Sequence, residues 1–311
     1  MIKKNKIVAI QADRLDSMNI KTDTTILLAL EAQKRGFRIF CYETKNLSFI
    51  NGKVYALSKE VTFNIDAKNF YTIKNIKKLD LSKVNYILMR QNPPFNMNYI
   101  TATFLLEKIS KKVRIINDPT SVRNIPEKLH SIEFLKLMPP TIFTKDIKEI
   151  EKFKKKYKKI VVKPTHGYGG KNILFIDSNL NRNKMSKYIK KHDYVMVQKF
   201  LPQIKYGDKR VFIIAGKIKG AIRRIPVKGS ILSNIGQGGK AVKTNLTKSE
   251  LHIAKIVAKN LKKNKIVFAG IDLISNYLIG DINITSPTGL KNFKDLTGIN
   301  LAVDFWNYLE N

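Results

Sequence analysis

A lysine followed closely by glycines is the first feature of this sequence that suggests chemistry. Lys163 ends an apolar run in VVKPTHGYGG, residues 161–170, and three glycines follow within the same segment. Glycine lets backbone N–H groups approach an anion, so this loop can hold a phosphate. It is not a P-loop, because Lys171 is followed by Asn172 rather than Ser or Thr. A dinucleotide fingerprint is also excluded, since a strand and not a helix is predicted to follow. A plain hairpin turn is the competing interpretation.

Three oxygen-bearing residues near the end of the chain suggest a metal site. Asp272 lies in AGIDLI, and Asp281 and Asn283 lie in GDINIT. The two-residue period of a strand places Asp281 and Asn283 on one face. If Asp272 lies opposite them on an antiparallel neighbour, three hard oxygen ligands converge, which suits Mg²⁺ and nucleotide phosphates. The alternative is a turn-capping Asp281 beside an exposed Asn283, but carboxylates within apolar strands are otherwise costly.

Isolated basic residues are candidates for binding the phosphates. They are Lys128 in IPEKLHS, Lys163, Arg210 in YGDKRVF and Arg224 in IRRIP. In so lysine-rich a chain any one of them is more often a solvated surface group, and they carry weight only as a set. The four histidines show no metal-ligand spacing, and no nucleophile–base arrangement is present.

Composition limits the possible classes of function. The 311 residues include 58 basic and 24 acidic ones, for a net charge of +34. Only 10 of the basic residues are arginine and the lysines are scattered, so a specific nucleic-acid interface is not expected. No apolar stretch is long enough for a transmembrane helix, so no membrane partner is expected. A single cysteine, Cys41, excludes an internal disulfide and fits a cytoplasmic location.

The elements that must position these residues begin with alternating strands and helices. Strands are predicted at 6–10, 38–43, 84–90 and 113–117, and helices at 21–37 and 97–112. This order predicts an open parallel α/β sheet, with chemistry at the carboxyl ends of its strands.

The remainder of the chain is predicted to be α+β. A charged amphipathic helix is predicted around 151–160. Strands are predicted at 159–164, 171–177 and 194–202, with a helix at 179–191. Next come a hairpin over 209–226 with turns at Gly216 and Gly220, a glycine-rich loop at 227–242, a helix at 247–263 and strands at 267–274 and 278–289. A polar loop as long as 227–242 in a compact protein is typical of a lid.

In this order the motifs resemble the ATP-grasp superfamily, and within it the bacterial glutathione synthetase family. The resemblance runs almost end to end and is carried by NIKTDTTILLALEAQKRG, ILMRQNPPF, NDPTSVRNIPEKLHS, VVKPTHGYGG, QKFLPQIKYGDKRVF, RRIP, NIGQGG, FAGIDLI and INITSPTG. It implies an N-terminal α/β domain (1–121), a small α+β lid (122–192) and a C-terminal ATP-grasp domain (193–311). The nucleotide would lie between the last two.

The resemblance also implies a role for each candidate residue. Catalytic roles fall to Lys163, Arg210 and Arg224. The ATP-binding set is Lys128, Lys163, Gly167, Tyr168, Gly169, Gly170, Gln198, Lys199, Phe200, Leu201 and Asp208. The magnesium ligands would be Asp272, Asp281 and Asn283, holding two Mg²⁺ ions or Mn²⁺ in their place. The substrate-side set is Arg90, Arg210, Arg224, Asn234, Gly238, Gly239, Ser286, Pro287 and Thr288.

The implied reaction is the ligation of γ-glutamylcysteine and glycine to glutathione. ATP would activate the cysteinyl carboxylate as an acyl phosphate, and the family's commonest assembly is a homotetramer. Three positions depart from the family pattern: Asp281 replaces Glu, Leu232 replaces Arg and Asn92 replaces Asp. Two alternatives therefore stay open, namely a related carboxylate–amine ligase with another peptide or acceptor, and a non-catalytic binding protein on the same fold.

Overall fold

A seven-stranded sheet occupies the first part of the computed structural model, which describes residues 6–66 and 69–311. Its strands are β1 (Ile7–Gln11), β2 (Arg38–Tyr42), β3 (Leu47–Ile50), β4 (Lys53–Phe63), β5 (Tyr71–Asp80), β6 (Tyr86–Met89) and β7 (Arg114–Ile116). Strands β2, β1, β6 and β7 pair in parallel in that order. Helices α1 (Thr24–Lys34) and α2 (Met97–Glu107) pack on opposite faces, and α3 (Pro119–Asn124) follows β7. The predicted open parallel sheet is confirmed.

Strands β3, β4 and β5 form an antiparallel extension that the sequence did not predict. Strand β4 pairs with β2 and β3 along one edge and with β5 along the other. Most of β5 is exposed, and its segment YTIKNIKKLD lacks the alternation of a half-buried strand. The hydrophobic pattern was therefore too weak to identify it.

The second sheet is small and has its own core. It contains β8 (Thr141–Thr144), β9 (Ile160–Pro164), β10 (Leu174–Ile176) and β11 (Val195–Lys199), in the antiparallel order β10-β9-β11-β8. Helices α4 (Ile147–Tyr157) and α5 (Arg182–His192) cover it through residues such as Phe153 and Met185. Strand β11 belongs to this sheet, although it lies beyond residue 192, where the lid is predicted to end.

The third sheet carries most of the candidate chemistry. Its strands are β12 (Asp208–Ile214), β13 (Lys217–Ile225), β14 (Lys240–Lys243), β15 (Phe268–Ile274) and β16 (Tyr277–Asn283), in the antiparallel order β14-β13-β12-β15-β16. The predicted turn at Gly216 is confirmed. The turn at Gly220 is wrong, because the chain continues there as strand β13 and the pairing register only shifts. The last strand, predicted to reach residue 289, ends at Asn283. Residues 240–242, predicted to belong to the long loop, are part of strand β14.

The first and third sheets are held together by shared packing. Helices α6 (Lys248–Lys263), α7 (Leu290–Thr297) and α8 (Leu301–Glu310) complete the chain, and α8 returns to α1, where Trp306 Nε1 donates to the Leu28 carbonyl. Between the sheets, the buried Asn117 side chain forms four hydrogen bonds, to the backbone of residues 267, 268 and 284. The end of β16 is therefore fixed against the first sheet.

The second sheet docks on the third at Gly280. This residue has φ +82°, and a Cβ there would lie 2.4 Å from the Met196 Cε of β11. The positive φ favours glycine, and the absence of a Cβ leaves room for the Met196 side chain where the two sheets meet. No helix in the described ranges is long and apolar enough to cross a membrane.

Candidate active site

Alternate residues on three strands face one cleft between the second and third sheets. They are Val161 and Lys163 on β9, Asp272 and Ile274 on β15, and Ile279, Asp281 and Asn283 on β16. Side chains two residues apart on a strand share a face, so the sequence itself places polar and apolar groups side by side there. The predicted antiparallel pairing of the two acidic strands is confirmed.

Two buried lysines hold Asp281 between them. Lys163 Nζ donates to Asp281 Oδ2 at 3.3 Å and to the Ile279 carbonyl at 2.9 Å. Lys128 Nζ lies 3.3 Å from Asp281 Oδ1 and also donates to the Gly167 carbonyl. Burial alone would raise the pKa of Asp281, but the charges of Lys163 and Lys128 outweigh it and hold that pKa well below its usual range. Two cations beside one carboxylate leave positive charge available to bind an anion.

Two arginines flank Asp272: Arg210 lies on the neighbouring strand β12, and Arg224 lies on β13, one strand further away. Arg210 NH2 and Arg224 NH2 each lie 2.9 Å from Asp272 Oδ2, and Arg224 Nε donates to Asp208 Oδ1 at 2.9 Å. Residues 210 and 272, and residues 208 and 224, face each other directly across strand pairs. Burial would raise the pKa of Asp272, but Arg210 and Arg224 outweigh it and lower that pKa. The pairs hold both guanidinium groups rigidly at the edge of the cleft.

The donor set fits a divalent cation. Asn283 commits its amide nitrogen to the Gly270 carbonyl at 3.1 Å, which orients the side chain and leaves the oxygen for a ligand. Asp281 lies two residues away on the same face, and Asp272 on the neighbouring strand lines the same cleft. Among the described residues no group of three His, Cys, Asp or Glu side chains is placed to bind a metal. Any metal site here depends on the asparagine oxygen.

The glycine-rich segment forms the turn of a hairpin and meets the long loop. Strands β9 and β10 are antiparallel, which confirms that the loop following Lys163 joins two strands. Residues 167–170 contact the loop at 231–237. Gln237 Nε2 lies 3.4 Å from the Gly169 carbonyl, and the Cα of Gly170 directly faces Asn234, since a Cβ there would lie 2.6 Å from Asn234 Oδ1. The two loops together cover the cleft.

The cleft has a volume of about 890 Å³ and contains the whole predicted ATP-binding set. Lining it are Lys128, Lys163, Gly167, Tyr168, Gly169, Gly170, Gln198, Lys199, Phe200, Leu201 and Asp208, with Asp272, Asp281 and Asn283. Its wall includes an apolar group that the sequence did not single out: Val161, Ile173, Ile204, Ile231, Ile274 and Ile279. An apolar slot beside lysines and carboxylates suits a flat base carrying phosphates. We call this space the nucleotide-side cleft.

A second cleft of about 1120 Å³ adjoins it and reaches the first sheet. Predicted substrate residues Arg210, Arg224, Asn234, Ser286 and Thr288 line this space, which we call the peptide-side cleft. Both clefts share Arg210, Arg224, Tyr168, Gly169, Asn234, Asn283 and Glu127. Their junction is therefore where a group from one cleft would meet a group from the other.

Four predicted substrate residues lie outside both clefts. Burial lowers the pKa of Arg90 to about 10, and its NH2 donates to the Pro287 carbonyl at 2.9 Å, while Ser286 Oγ donates to the Arg90 carbonyl. Arg90 therefore supports the 286–288 segment from behind. Gly238 and Gly239 close the long loop, donating to the carbonyls of Ile235 and Asn234.

Comparison with known proteins gives the same family for both parts of the chain. The model for the prokaryotic glutathione synthetase N-terminal domain matches residues 7–123, and the model for the ATP-grasp domain of the same family matches residues 127–298. A glutathione synthetase of Mesorhizobium japonicum is 39% identical over 307 residues, covering 97% of each chain. Another from Agrobacterium fabrum is 38% identical, covering 99% of this chain and 97% of its own.

Solved structures similar to this chain share its fold at low sequence identity. A D-alanyl-alanine synthetase A from Vibrio cholerae aligns with a TM-score of 0.63 over the whole of both chains at 13% identity. A D-cycloserine synthetase aligns with a TM-score of 0.67 at 13% identity, covering 97% of this chain and 99% of its own. An ATP-grasp protein from Sphaerobacter thermophilus aligns at 0.64, covering 98% and 100%. The predicted ATP-grasp architecture is confirmed.

Proposed function

Because the chain belongs to the prokaryotic glutathione synthetase family, we propose that it joins γ-glutamylcysteine to glycine while converting ATP to ADP and phosphate. The nucleotide-side cleft takes ATP, with the base against the apolar wall and the phosphates toward Lys128 and Lys163. The peptide-side cleft takes the dipeptide and glycine. The observation that carries this proposal is the junction of the two clefts, where Arg210 and Arg224 line both spaces.

The first step brings two anions together. The cysteinyl carboxylate forms a bond to the γ-phosphorus, and the bond to the β,γ-bridging oxygen breaks, releasing ADP. Lys163 and Arg210 lower the repulsion between the anions, because each is a nearly buried cation whose position is fixed by an acidic partner. Asp281, Asn283 and Asp272 would hold two magnesium ions, or manganese ions in their place. Such ions neutralise developing charge on the phosphates.

The second step needs a dry site. The glycine amine forms the C–N bond, the acyl C–O bond breaks, and phosphate leaves with the electron pair. Water would hydrolyse the acyl phosphate, so the contact between residues 167–170 and 231–237 serves to exclude it. No nucleophilic side chain is required, because phosphate is the activating group.

The acyl phosphate can be tested without glycine. ATP labelled with ¹⁸O in the β,γ-bridge would be incubated with the enzyme, magnesium and γ-glutamylcysteine alone. Reversible transfer scrambles the label between bridge and non-bridge positions of the β-phosphate, and omission of the dipeptide should stop it. Scrambling that persists when the dipeptide is omitted would contradict the proposed intermediate.

The cellular setting and assembly are part of the same proposal. A cytoplasmic location is supported by the single Cys41, which is buried and unpaired by disulfide. A homotetramer follows from the family resemblance. Light scattering of the purified protein would measure the mass of the assembly directly.

A further inference from the structure

Glu127 is a carboxylate at the junction of the two clefts, and among the described residues no cation pairs with it. The other carboxylates of the nucleotide-side cleft are committed: Asp281 to two lysines, Asp272 to two arginines and Asp208 to Arg224. In the ranges 6–66 and 69–311 no lysine, arginine or histidine forms an ion pair with Glu127. It is also the only acid among the seven residues that line both clefts.

The backbone directly after strand β16 holds the Glu127 side chain in place. Glu127 Oε1 accepts from the Ile284 N–H at 3.1 Å, the Thr285 N–H at 3.2 Å and Thr285 Oγ1 at 2.7 Å. These bonds fix the carboxylate directly after Asn283. Across the described part of the chain no hydrogen bond reaches its other oxygen, Oε2. One oxygen is thus an anchor, and the second is left for a ligand.

The reaction proposed at the junction requires a group that can bind the ammonium ion of the acceptor. An amino acid acceptor arrives as an ammonium ion at neutral pH, while its nitrogen must reach the acyl carbon with a free electron pair. Arg210 and Arg224, which line the same space, would repel an ammonium ion and attract its carboxylate instead. An unpaired carboxylate that lines the same two clefts completes a site for a zwitterion.

We propose that Glu127 binds the ammonium group of the acceptor amino acid and takes one of its protons, which deepens the proposed function and rests on it. The ammonium gives one proton to Glu127 Oε2 and becomes an amine. The amine forms the C–N bond as the acyl C–O bond to phosphate breaks, and the nitrogen's second surplus proton leaves on the phosphate. Glu127 then returns its proton to solvent.

The variant Glu127→Gln isolates the charge, because glutamine keeps an oxygen for the three anchoring donors. The KM for glycine should rise on the order of 10- to 100-fold, as expected for losing a hydrogen bond between charged groups. The KM values for ATP and γ-glutamylcysteine should stay within about twofold, since those contacts are untouched. Hydroxylamine, an acceptor that is uncharged at neutral pH, should form hydroxamate at a rate within about threefold of wild type.

Asp23 provides the matched control. It lines the peptide-side cleft only, and its Oδ1 caps helix α1 by accepting from Thr25 N–H at 2.6 Å. Asp23→Asn keeps that cap and removes the other carboxylate of the cleft, so the KM for glycine should not rise with it. An equal rise in both variants would overturn the assignment, because the effect would then be general to negative charge.

Three further results would overturn the role of Glu127. They are an unchanged KM for glycine in Glu127→Gln, a loss of hydroxamate formation as large as the loss of glycine use, and a higher magnesium requirement instead of a higher KM for glycine. The second would show a structural role and the third a metal ligand. If wild type itself releases no ADP in response to glycine, the proposed function fails, and this inference fails with it.

Discussion

Gly169 and Gly170 form a matched pair that tests whether the glycine-rich segment and the long loop must close on each other. Both residues have positive φ, +62° and +74°. Alanine at either position therefore carries the same backbone penalty, about 1–2 kcal/mol. A Cβ at Gly169 has no neighbour within 4 Å, whereas one at Gly170 would lie 2.6 Å from Asn234 Oδ1. Only Gly170→Ala therefore clashes with the loop at 231–237, through the Asn234 side chain.

The extra effect at Gly170 can be estimated from the contacts. A carbon–oxygen contact is normally no closer than about 3.3 Å, so the Asn234 side chain and the loop that carries it must give way by about 0.7 Å. The bond from Gln237 Nε2 to the Gly169 carbonyl is already 3.4 Å long and would be lost. That bond contributes about 1 kcal/mol. With the loss of packing, we expect Gly170→Ala to weaken the closed state by about 1–2 kcal/mol more than Gly169→Ala, or about 5- to 30-fold in kcat/KM for ATP.

The assay is ADP release measured against ATP concentration. A second measurement is trypsin cleavage at Lys228 in the long loop and at Lys240, where β14 begins. A non-hydrolysable ATP analogue should protect these sites in wild type and in Gly169→Ala, and less well in Gly170→Ala. Equal kcat/KM values and equal protection in the two variants would refute the closure argument.

Three other perturbations have expected outcomes. Lys163→Met should reduce ADP release at least about 100-fold by removing a fixed phosphate cation. It should also move acid unfolding to higher pH. Because the pKa of Asp281 is lower in the folded than in the unfolded protein, its ionisation stabilises the fold above the unfolded-state pKa, and this stability is lost as the pH falls through the folded-state pKa. Removing the lysine raises the folded-state pKa, so the loss begins at higher pH. Circular dichroism against pH would measure the shift, and an unchanged midpoint would contradict the pairing. Asp272→Asn should abolish ADP formation and lower the free energy of unfolding by about 3 kcal/mol in urea, because Arg210 loses its buried partner; full activity would exclude the metal and arginine roles together. Burial raises the pKa of the Cys41 thiol to about 12, so a disulfide reagent at pH 8 should label it only in denaturant; rapid labelling of the native protein would show that the site opens.

Much of the fold could be predicted because its hydrophobic pattern is strong where strands are buried. Strands β1, β2, β6 and β7 are apolar runs separated by helices, which is the pattern of a parallel sheet. Strand β5 was not predicted because its isoleucines, Ile73 and Ile76, are 38% and 56% exposed, and most of the strand is exposed with them. The place of β11 in the second sheet could not be predicted either, because its pairing with β9 depends on contacts distant in sequence.

The site was predictable where a polar residue interrupts an apolar strand. Asp272, Asp281 and Lys163 stand out in this way, and all three face the nucleotide-side cleft. The isoleucines of the same cleft could not be told from core residues by type alone. Glu127 sits directly before Lys128 in a loop, and only the fold shows that its carboxylate reaches residues 284 and 285. Arg90 was expected beside the substrate, but the structure places it behind the 286–288 segment.

Steady-state ADP release by the purified protein with magnesium and ATP tests the central claim most directly. γ-Glutamylcysteine and glycine would be supplied together and each alone, and the product identified by mass spectrometry. We predict sustained ADP release only with both substrates, with one glutathione formed for each ADP. Equal ADP release without glycine, or a product other than glutathione, would contradict the account.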